Sequence, residues 1–184
     1  MNSTRRRLTL TLLFTLITLH AGAAHAGKAA QISAASSAAL KKLYASNPSA
    51  KVLGGKAVAI LVFPKILKAG FIFGGQGGDG ALRRGGKTVG YYRTVAASYG
   101  FQAGIQEFAY ALFFMNEAAL KQLNDTNGWE IGSGPSLVIV DEGFAKSFTT
   151  NTLTSDVYAY IFDQKGLMAG IGIQGSKITR IHPK

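Results

Sequence analysis

The chain has 184 residues, of which 47% are hydrophobic and 16% are charged. This composition is that of an ordinary globular protein, and the length is enough for one domain with its own core. Because there is no cysteine, disulfides, a thiol nucleophile and a bacterial lipid anchor are all excluded.

The N-terminus has the pattern of a secretory signal peptide. Three arginines at 5–7 precede a mostly apolar run at 8–19, and the small-residue site Ala24-His25-Ala26 follows. This pattern predicts a signal peptide over residues 1–26, cleaved before Gly27. No later stretch approaches the roughly 18 apolar residues that a membrane-spanning helix needs. We therefore expect an exported protein, periplasmic or secreted, that associates with a membrane peripherally.

Charge is unevenly distributed along the chain, whose formal net charge is +11. From Lys28 to Arg93 there are eleven Lys and Arg residues against a single acid, Asp79, whereas Thr94 to Lys184 has six against eight acids. A cationic first half indicates an anionic partner, although a merely soluble basic surface is the alternative.

The first part of the predicted domain, residues 27–55, is expected to be helical. Apolar residues recur at steps of three and four over 30–46, which predicts an amphipathic helix. Asn47-Pro48 then has the pattern of a cap and first residue of a second short helix, and Gly54-Gly55 ends it.

Residues 56–184 are expected to form mainly strands. A further helix is predicted at Glu117–Leu123, capped by Asn116. Glycines on strand faces suit sharp curvature. The order of elements predicts an α+β fold, with a strongly curved antiparallel sheet or small barrel, the N-terminal amphipathic helix and one or two short packing helices. Strands are predicted at 57–63, 69–73, 88–96, 98–115 with a break at its glycines, 136–140, 157–162 and 167–173.

The stretch Gly74–Thr88, GGQGGDGALRRGGKT, resembles a nucleotide-binding loop only superficially. It contains G-x-G-x-x-G from Gly75 and ends in Gly86-Lys87-Thr88. The segment after the third glycine is too short for the helix that a dinucleotide site requires. Gly80 and Gly86 enclose five residues, whereas the P-loop needs four. We therefore expect no nucleotide to bind.

The same stretch is better interpreted as a flexible glycine loop between strands. It would display Arg83, Arg84 and Lys87 at its end, where cations and backbone N–H groups can receive an anionic headgroup.

An enzymatic function is not expected from the side chains available. Once the signal peptide is removed, His182 is the one remaining histidine, so a Ser-His-Asp triad or a histidine-rich zinc site is not expected. Asp141 and Glu142 are adjacent on a predicted strand end and would point to opposite faces. We expect a non-enzymatic protein without a cofactor or metal.

Three segments resemble, in order, the SYLF domain, a lipid-binding module that some eukaryotic proteins carry as an actin-binding domain. They are GGKAVAILVFPKILKAGFIFGGQGGDGALRR, YGFQAGIQEFAYALFFMNEAALKQL and SDVYAYIFDQKGLMAGIGIQG, and the resemblance spans about residues 39–175. Its clearest landmarks are 68–71 and 165–170. The chain is identified as an exported, bacterial-type member, with 27–184 as a single SYLF-like domain.

The resemblance implies a domain that binds acidic membrane lipids through an N-terminal amphipathic helix and basic residues. Matching positions here are Leu40, Lys41, Lys42, Leu43, Lys65, Lys68 and Arg83, to which the glycine-rich loop adds Arg84 and Lys87. For an exported chain the expected ligand is an anionic phospholipid or a lipopolysaccharide phosphate, with no nucleotide and no nucleic acid.

Two points stay open at this level. The apolar stripe of the first helix, with Leu40, Leu43 and Tyr44, either inserts into a membrane or packs on the sheet. The alternative to lipid binding is an interaction module whose basic face or strand edges hold an acidic envelope protein.

Overall fold

A computed structural model describes residues 27–70, 73–99, 104–124, 128–140, 153–166 and 172–184. The predicted signal peptide, the Asp141-Glu142 pair and most of the strand predicted at 167–173 lie outside these ranges. Within them, no helix combines the length and apolar character needed to cross a bilayer.

Two helices open the described chain, as predicted. α1 spans Lys28–Ser46 and α2 spans Pro48–Gly54. The Asn47 side chain accepts a hydrogen bond from the Ala50 amide at 3.2 Å, which satisfies one N–H group of the first turn of α2. Proline suits the first position because its missing N–H would have had no partner there.

In the described part of the chain, eight strands form one curled sheet, a half-barrel, after these helices. The third helix, α3 at Glu117–Leu123, is capped as predicted by Asn116, whose side chain accepts from the Ala119 amide at 2.8 Å. The strands are β1 Ala59–Gly70, β2 Phe73–Arg84, β3 Lys87–Tyr99, β4 Gly104–Phe114, β5 Trp129–Glu130, β6 Leu137–Val140, β7 Val157–Gly166 and β8 Lys177–Ile181. In the sheet they follow the order β5-β8-β3-β2-β1-β4-β7-β6.

The predicted α+β class with a strongly curved sheet is confirmed. The sheet is mixed rather than wholly antiparallel, because β6 and β7 pair in parallel. The sequence did not predict β5 and β8, which have two and five residues, too few for alternation of apolar residues to stand out.

Two strand boundaries were wrong. Pro64 does not end β1, because the pairing register shifts around it, between Phe63 and Ile66, and this bulge accommodates a residue without an N–H. Of the strand predicted at 69–73, Ala69 and Gly70 belong to the end of β1 and Phe73 to the start of β2, and Gly70 pairs with Gly74 across the two strands.

The glycine-rich stretch Gly74–Thr88 is not a flexible loop. Most of it is β2, paired with β1 on one side and β3 on the other. Only Gly85-Gly86 forms a turn, with φ of 55° and 78°, values that glycine adopts without steric cost and that suit a tight hairpin.

The sheet buries a core on each face. On the inner face, Leu61, Phe63 and Tyr110 belong to a cluster that also includes side chains of α3. On the outer face, Val62 and Phe113 pack with apolar residues of α1 and α2. The outer face is the one that positions the candidate site.

Candidate functional site

Arg83 lies near the end of β2, beside the Gly85-Gly86 turn, and is oriented by neutral acceptors. Its guanidinium donates to the Ser37 hydroxyl at 2.5 Å, to the Gly86 carbonyl at 2.6 Å and to the Thr88 hydroxyl at 3.4 Å. None of these three partners is a carboxylate. The hydrogen bonds therefore fix the position of the cation without neutralising it.

Small side chains allow α1 to lie close to the ends of β2 and β3. The hydroxyls of Ser33 and Thr88 are 2.7 Å apart, and the buried Ser36 hydroxyl donates to the Val62 carbonyl at 3.1 Å. These contacts fix α1 against the sheet, so its next turns carry Lys41 and Tyr44 past Arg83.

A groove of about 520 Å³ opens between the middle of α1, the end of α2 and the β2–β3 turn. Its walls combine cations, glycine backbone and an apolar floor. It is lined by Ser37, Leu40, Lys41, Tyr44, Gly54, Gly55, Ala57, Val58, Ala59, Ile60, Arg83, Arg84, Gly85 and Gly86.

The cations of the groove differ in how far they are neutralised. Lys41 is exposed. Arg84 forms an ion pair with Glu117 at the start of α3, and both side chains are more than half exposed, so water and salt screen the pair. Arg83 combines a fixed position with neutral partners and is the best placed to receive an anion.

Tyr44 closes the groove on the side of α2. Burial raises the pKa of its hydroxyl, and the nearby positive charge of Arg83 opposes this rise. The phenol is therefore neutral at physiological pH and can donate a hydrogen bond. Its hydroxyl lies so close to Gly54 that a Cβ there would be 2.0 Å from the oxygen.

The structure brings together four of the nine predicted lipid-binding residues. Leu40, Lys41, Arg83 and Arg84 all line the groove. The others lie elsewhere: Lys42 pairs with Asp163 at 2.6 Å, Lys65 pairs with Glu107 at 2.6 Å, Leu43 is buried, Lys68 is buried on the inner face, and Lys87 is exposed at the start of β3.

Leu40 and Leu43 do not form an exposed apolar stripe. They are 8% and 2% exposed and pack on the outer core beside Ile60 and Phe113. Of the two alternatives for α1, the structure has the helix packed on the sheet. Its exposed surface contributes Lys41 instead.

Sequence reasoning did not assign Ser37 or Gly54-Gly55 to the site. The cluster of serines in α1 was the available signal, since small hydroxyl side chains on one helix face allow close packing. Which strand they meet, however, depends on contacts such as Ser37 with Arg83, 46 residues apart.

Among the residues that the structure describes, no group of three or more His, Asp or Glu side chains could hold a metal ion. The fold and the groove define a class of protein, an α+β half-barrel domain with a basic binding groove. Residues 95–182 match the family model described as "Ysc84: Las17-binding protein actin regulator". This match is consistent with a member of the SYLF domain family and agrees with the resemblance found in the sequence. The family is one of binding domains, and a comparison with curated proteins gives no significant match.

Proposed function

We propose that this protein is an exported, non-enzymatic domain that binds anionic lipid headgroups peripherally at the cell envelope. The observation that carries the proposal is the groove, where Arg83 is fixed by neutral partners and Lys41 is exposed beside it. The phosphate of an anionic phospholipid or of a lipopolysaccharide would supply the negative charge that the hydrogen-bond partners of Arg83 do not.

The groove would bind a phosphate through charge-assisted hydrogen bonds. A guanidinium offers five N–H donors in a planar fork, and those not engaged by Ser37 and Gly86 can contact phosphate oxygens. Lys41 adds a second charge across the groove, and the Tyr44 hydroxyl adds a neutral donor. The apolar floor at Leu40 and Ile60 suits the glycerol part of a lipid.

The charge of the rest of the surface supports this assignment. Without residues 1–26, the formal charge falls from +11 to +8, because three arginines and no acids are removed. Each basic residue near an anionic membrane contributes about 1 kcal/mol, so several acting together give micromolar binding once ordering costs are subtracted.

The test compares vesicle binding of the wild-type protein, Arg83→Gln and Lys121→Gln. Lys121 is an exposed cation on α3 that does not line the groove, so the control removes the same charge. We expect Arg83→Gln to weaken binding to phosphatidylglycerol-containing vesicles about fivefold and Lys121→Gln to have a smaller effect. Equal losses would mean that net charge rather than the groove is responsible.

Export is part of the proposal and has its own test. Cleavage after Ala26 predicts that the mature chain begins at Gly27. Intact-mass measurement of the protein recovered from the envelope fraction decides this. Retention of residues 1–26 would replace peripheral binding by anchoring through the apolar run at 8–19.

A protein partner is the second candidate, favoured by the family description, which names a binding protein that regulates actin. Here the basic face or a strand edge would hold an acidic envelope protein. Vesicles of pure lipid separate the two functions, because sedimentation with them requires no protein partner.

A further inference from the structure

Among the residues that the structure describes, helices cover the outer face of the sheet at one end and nothing covers it at the other. α1 and α2 pack over the end that holds Ile60 and Phe113. At the other end, outward positions of β1, β3 and β4 carry exposed apolar side chains, of which the larger three are 48% to 67% exposed. This apolar sheet patch consists of Leu67, Ala69, Val95, Ala97 and Ile105.

The patch is contiguous because strand pairing places its members side by side. Val95 is opposite Gly77, which is in turn opposite Leu67. A Cβ at Gly77 would lie 3.6 Å from a Val95 methyl group, so this methyl extends over the bare backbone between the two larger side chains. Adjacent strands are about 4.8 Å apart, so Val95 and Leu67 are separated by about 10 Å. Ile105, opposite Ala69, lies one step further along the same face.

Cations border the patch at both ends of this row. At one end Lys177 of β8 is directly opposite Val95 of β3. Residues directly opposite on paired strands share a face. At the other end the Glu107 carboxylate forms ion pairs with the ammonium groups of Lys65, at 2.6 Å, and Lys165, at 3.7 Å. Glu130 on β5 is in turn opposite Lys177, so three lysines accompany two acids on these two sides.

The third side of the patch is the boundary with α1. Asp79 accepts from Arg93 at 2.6 Å and lies 3.3 Å from the ammonium of Lys28, the first residue of α1. The three sides together carry five cations and three acids.

We infer that the apolar sheet patch is the face that enters an anionic membrane, with its rim lysines at the level of the lipid phosphates. A surface that is apolar in the middle and cationic at its border matches the two layers of a membrane interface. A contiguous apolar area on a charged protein marks an interaction surface, and the excess of cations selects an anionic one.

This inference rests on the proposed function and adds an orientation to it. Gly77 and Arg83 are six residues apart on β2, a distance of about 20 Å. The groove and the patch are then two contact points on the outer face, one for a headgroup and one for the acyl region.

The first test uses a fluorescent probe attached to an introduced cysteine. Because the chain has no cysteine of its own, the probe labels a single site. The variants Ile105→Cys and Val89→Cys are purified from cells in the form that accumulates there, and each is labelled with the fluorophore NBD. Val89 is an exposed control on β3, at the end near the turn. With phosphatidylglycerol vesicles, we expect a blue shift and quenching by doxyl-labelled lipid for the Ile105 probe and no response at Val89.

The second test measures affinity with a matched pair of double variants. Leu67→Ser with Val95→Ser removes two patch side chains that are each 48% exposed, and Val52→Ser with Val89→Ser removes two of 53% and 48% exposure elsewhere. We expect the patch variant to bind the same vesicles about tenfold more weakly, and the control variant to bind as the wild type does.

The outcomes separate this inference from the proposed function. In one outcome the wild type binds vesicles, Arg83→Gln weakens that binding, and the Ile105 probe stays in water. The inference is then wrong and the headgroup site stands. If no anionic vesicle is bound, both fail. A blue shift without vesicles would also overturn the inference, since a second copy or the N-terminal run would then cover the patch.

Discussion

The two ends of the outer sheet face differ in what covers them. At the end near the β2–β3 turn, α1 and α2 bury Val62 and Phe113 completely. At the other end, Leu67, Val95 and Ile105 are among the most exposed large apolar residues described. The strands are the same ones, so the difference lies in where α1 begins, at Lys28 beside Asp79. The covered end forms part of the core, and the exposed end is the apolar surface that we propose for membrane binding.

The largest expected effect contrasts a leucine from each end. Leu43 is 2% exposed in the outer core, so Leu43→Ala should lower the free energy of unfolding by about 3 kcal/mol. Leu67→Ala, at a side chain 48% exposed, should change it by less than about 0.5 kcal/mol. Urea denaturation measures both. Comparable losses would mean that the bare end is buried in the protein in solution.

A glycine at each end gives the next largest contrast. Gly54→Ala would place a Cβ 2.0 Å from the Tyr44 hydroxyl, which has to move and so disturb the groove. We expect a loss of about 1–3 kcal/mol and weaker headgroup binding.

Gly75→Ala is the matching change in the patch. The nearest atom to the new Cβ is the Ala96 carbonyl oxygen at 3.7 Å, an ordinary contact. Because the site has room, stability should change little or rise slightly. Thermal melts of the two variants compare them, and a large loss from Gly75→Ala would contradict the open geometry of that end.

A smaller difference is expected between the two arginines of the groove. Arg84 has Glu117 as an ion-pair partner, whereas Arg83 donates to neutral oxygens. Arg84→Gln should therefore weaken binding to anionic vesicles less than the roughly fivefold loss expected of Arg83→Gln. Titration of both variants with the same vesicles checks the order, and a larger loss from Arg84→Gln would place the headgroup nearer α3.

The smallest effect concerns Asp79, at the boundary between the two ends. Its hydrogen bond with Arg93, supported by Lys28, lowers the pKa of the carboxyl below its usual range, although partial burial opposes the shift. A lowered folded-state pKa stabilises the fold above the unfolded pKa of about 4, and this contribution is lost as pH falls through the folded value.

Asp79→Asn should therefore reduce the drop in melting temperature between about pH 6 and about pH 3. The effect should be small because Lys28 and Arg93 are about half exposed. Lys121→Gln is the control, and an unchanged pH profile in Asp79→Asn would show that this cluster does not stabilise the start of α1.

The sequence by itself determined the features that depend on near neighbours. Asn47 and Asn116 begin helices at the predicted positions because each side chain bonds an amide three residues on. The curved α+β sheet followed from apolar runs and glycines, and the family resemblance followed from ordered segments. Arg83 was predicted as a site residue from the local charge at the end of the glycine-rich stretch and from the family resemblance, and Lys41 from the resemblance.

Only the tertiary structure decided which of the predicted cations lie together in the groove. Lys42 and Lys65 look like Lys41 in the sequence, yet Asp163 and Glu107, 121 and 42 residues further along, pair with them. The groove brings Ser37 next to Arg83. The apolar sheet patch combines side chains from three strands, and the alternation of apolar and polar residues along a strand does not tell which face a helix covers. Register across strands and the path of α1 are set by long-range packing of the whole chain, so no local pattern contains them.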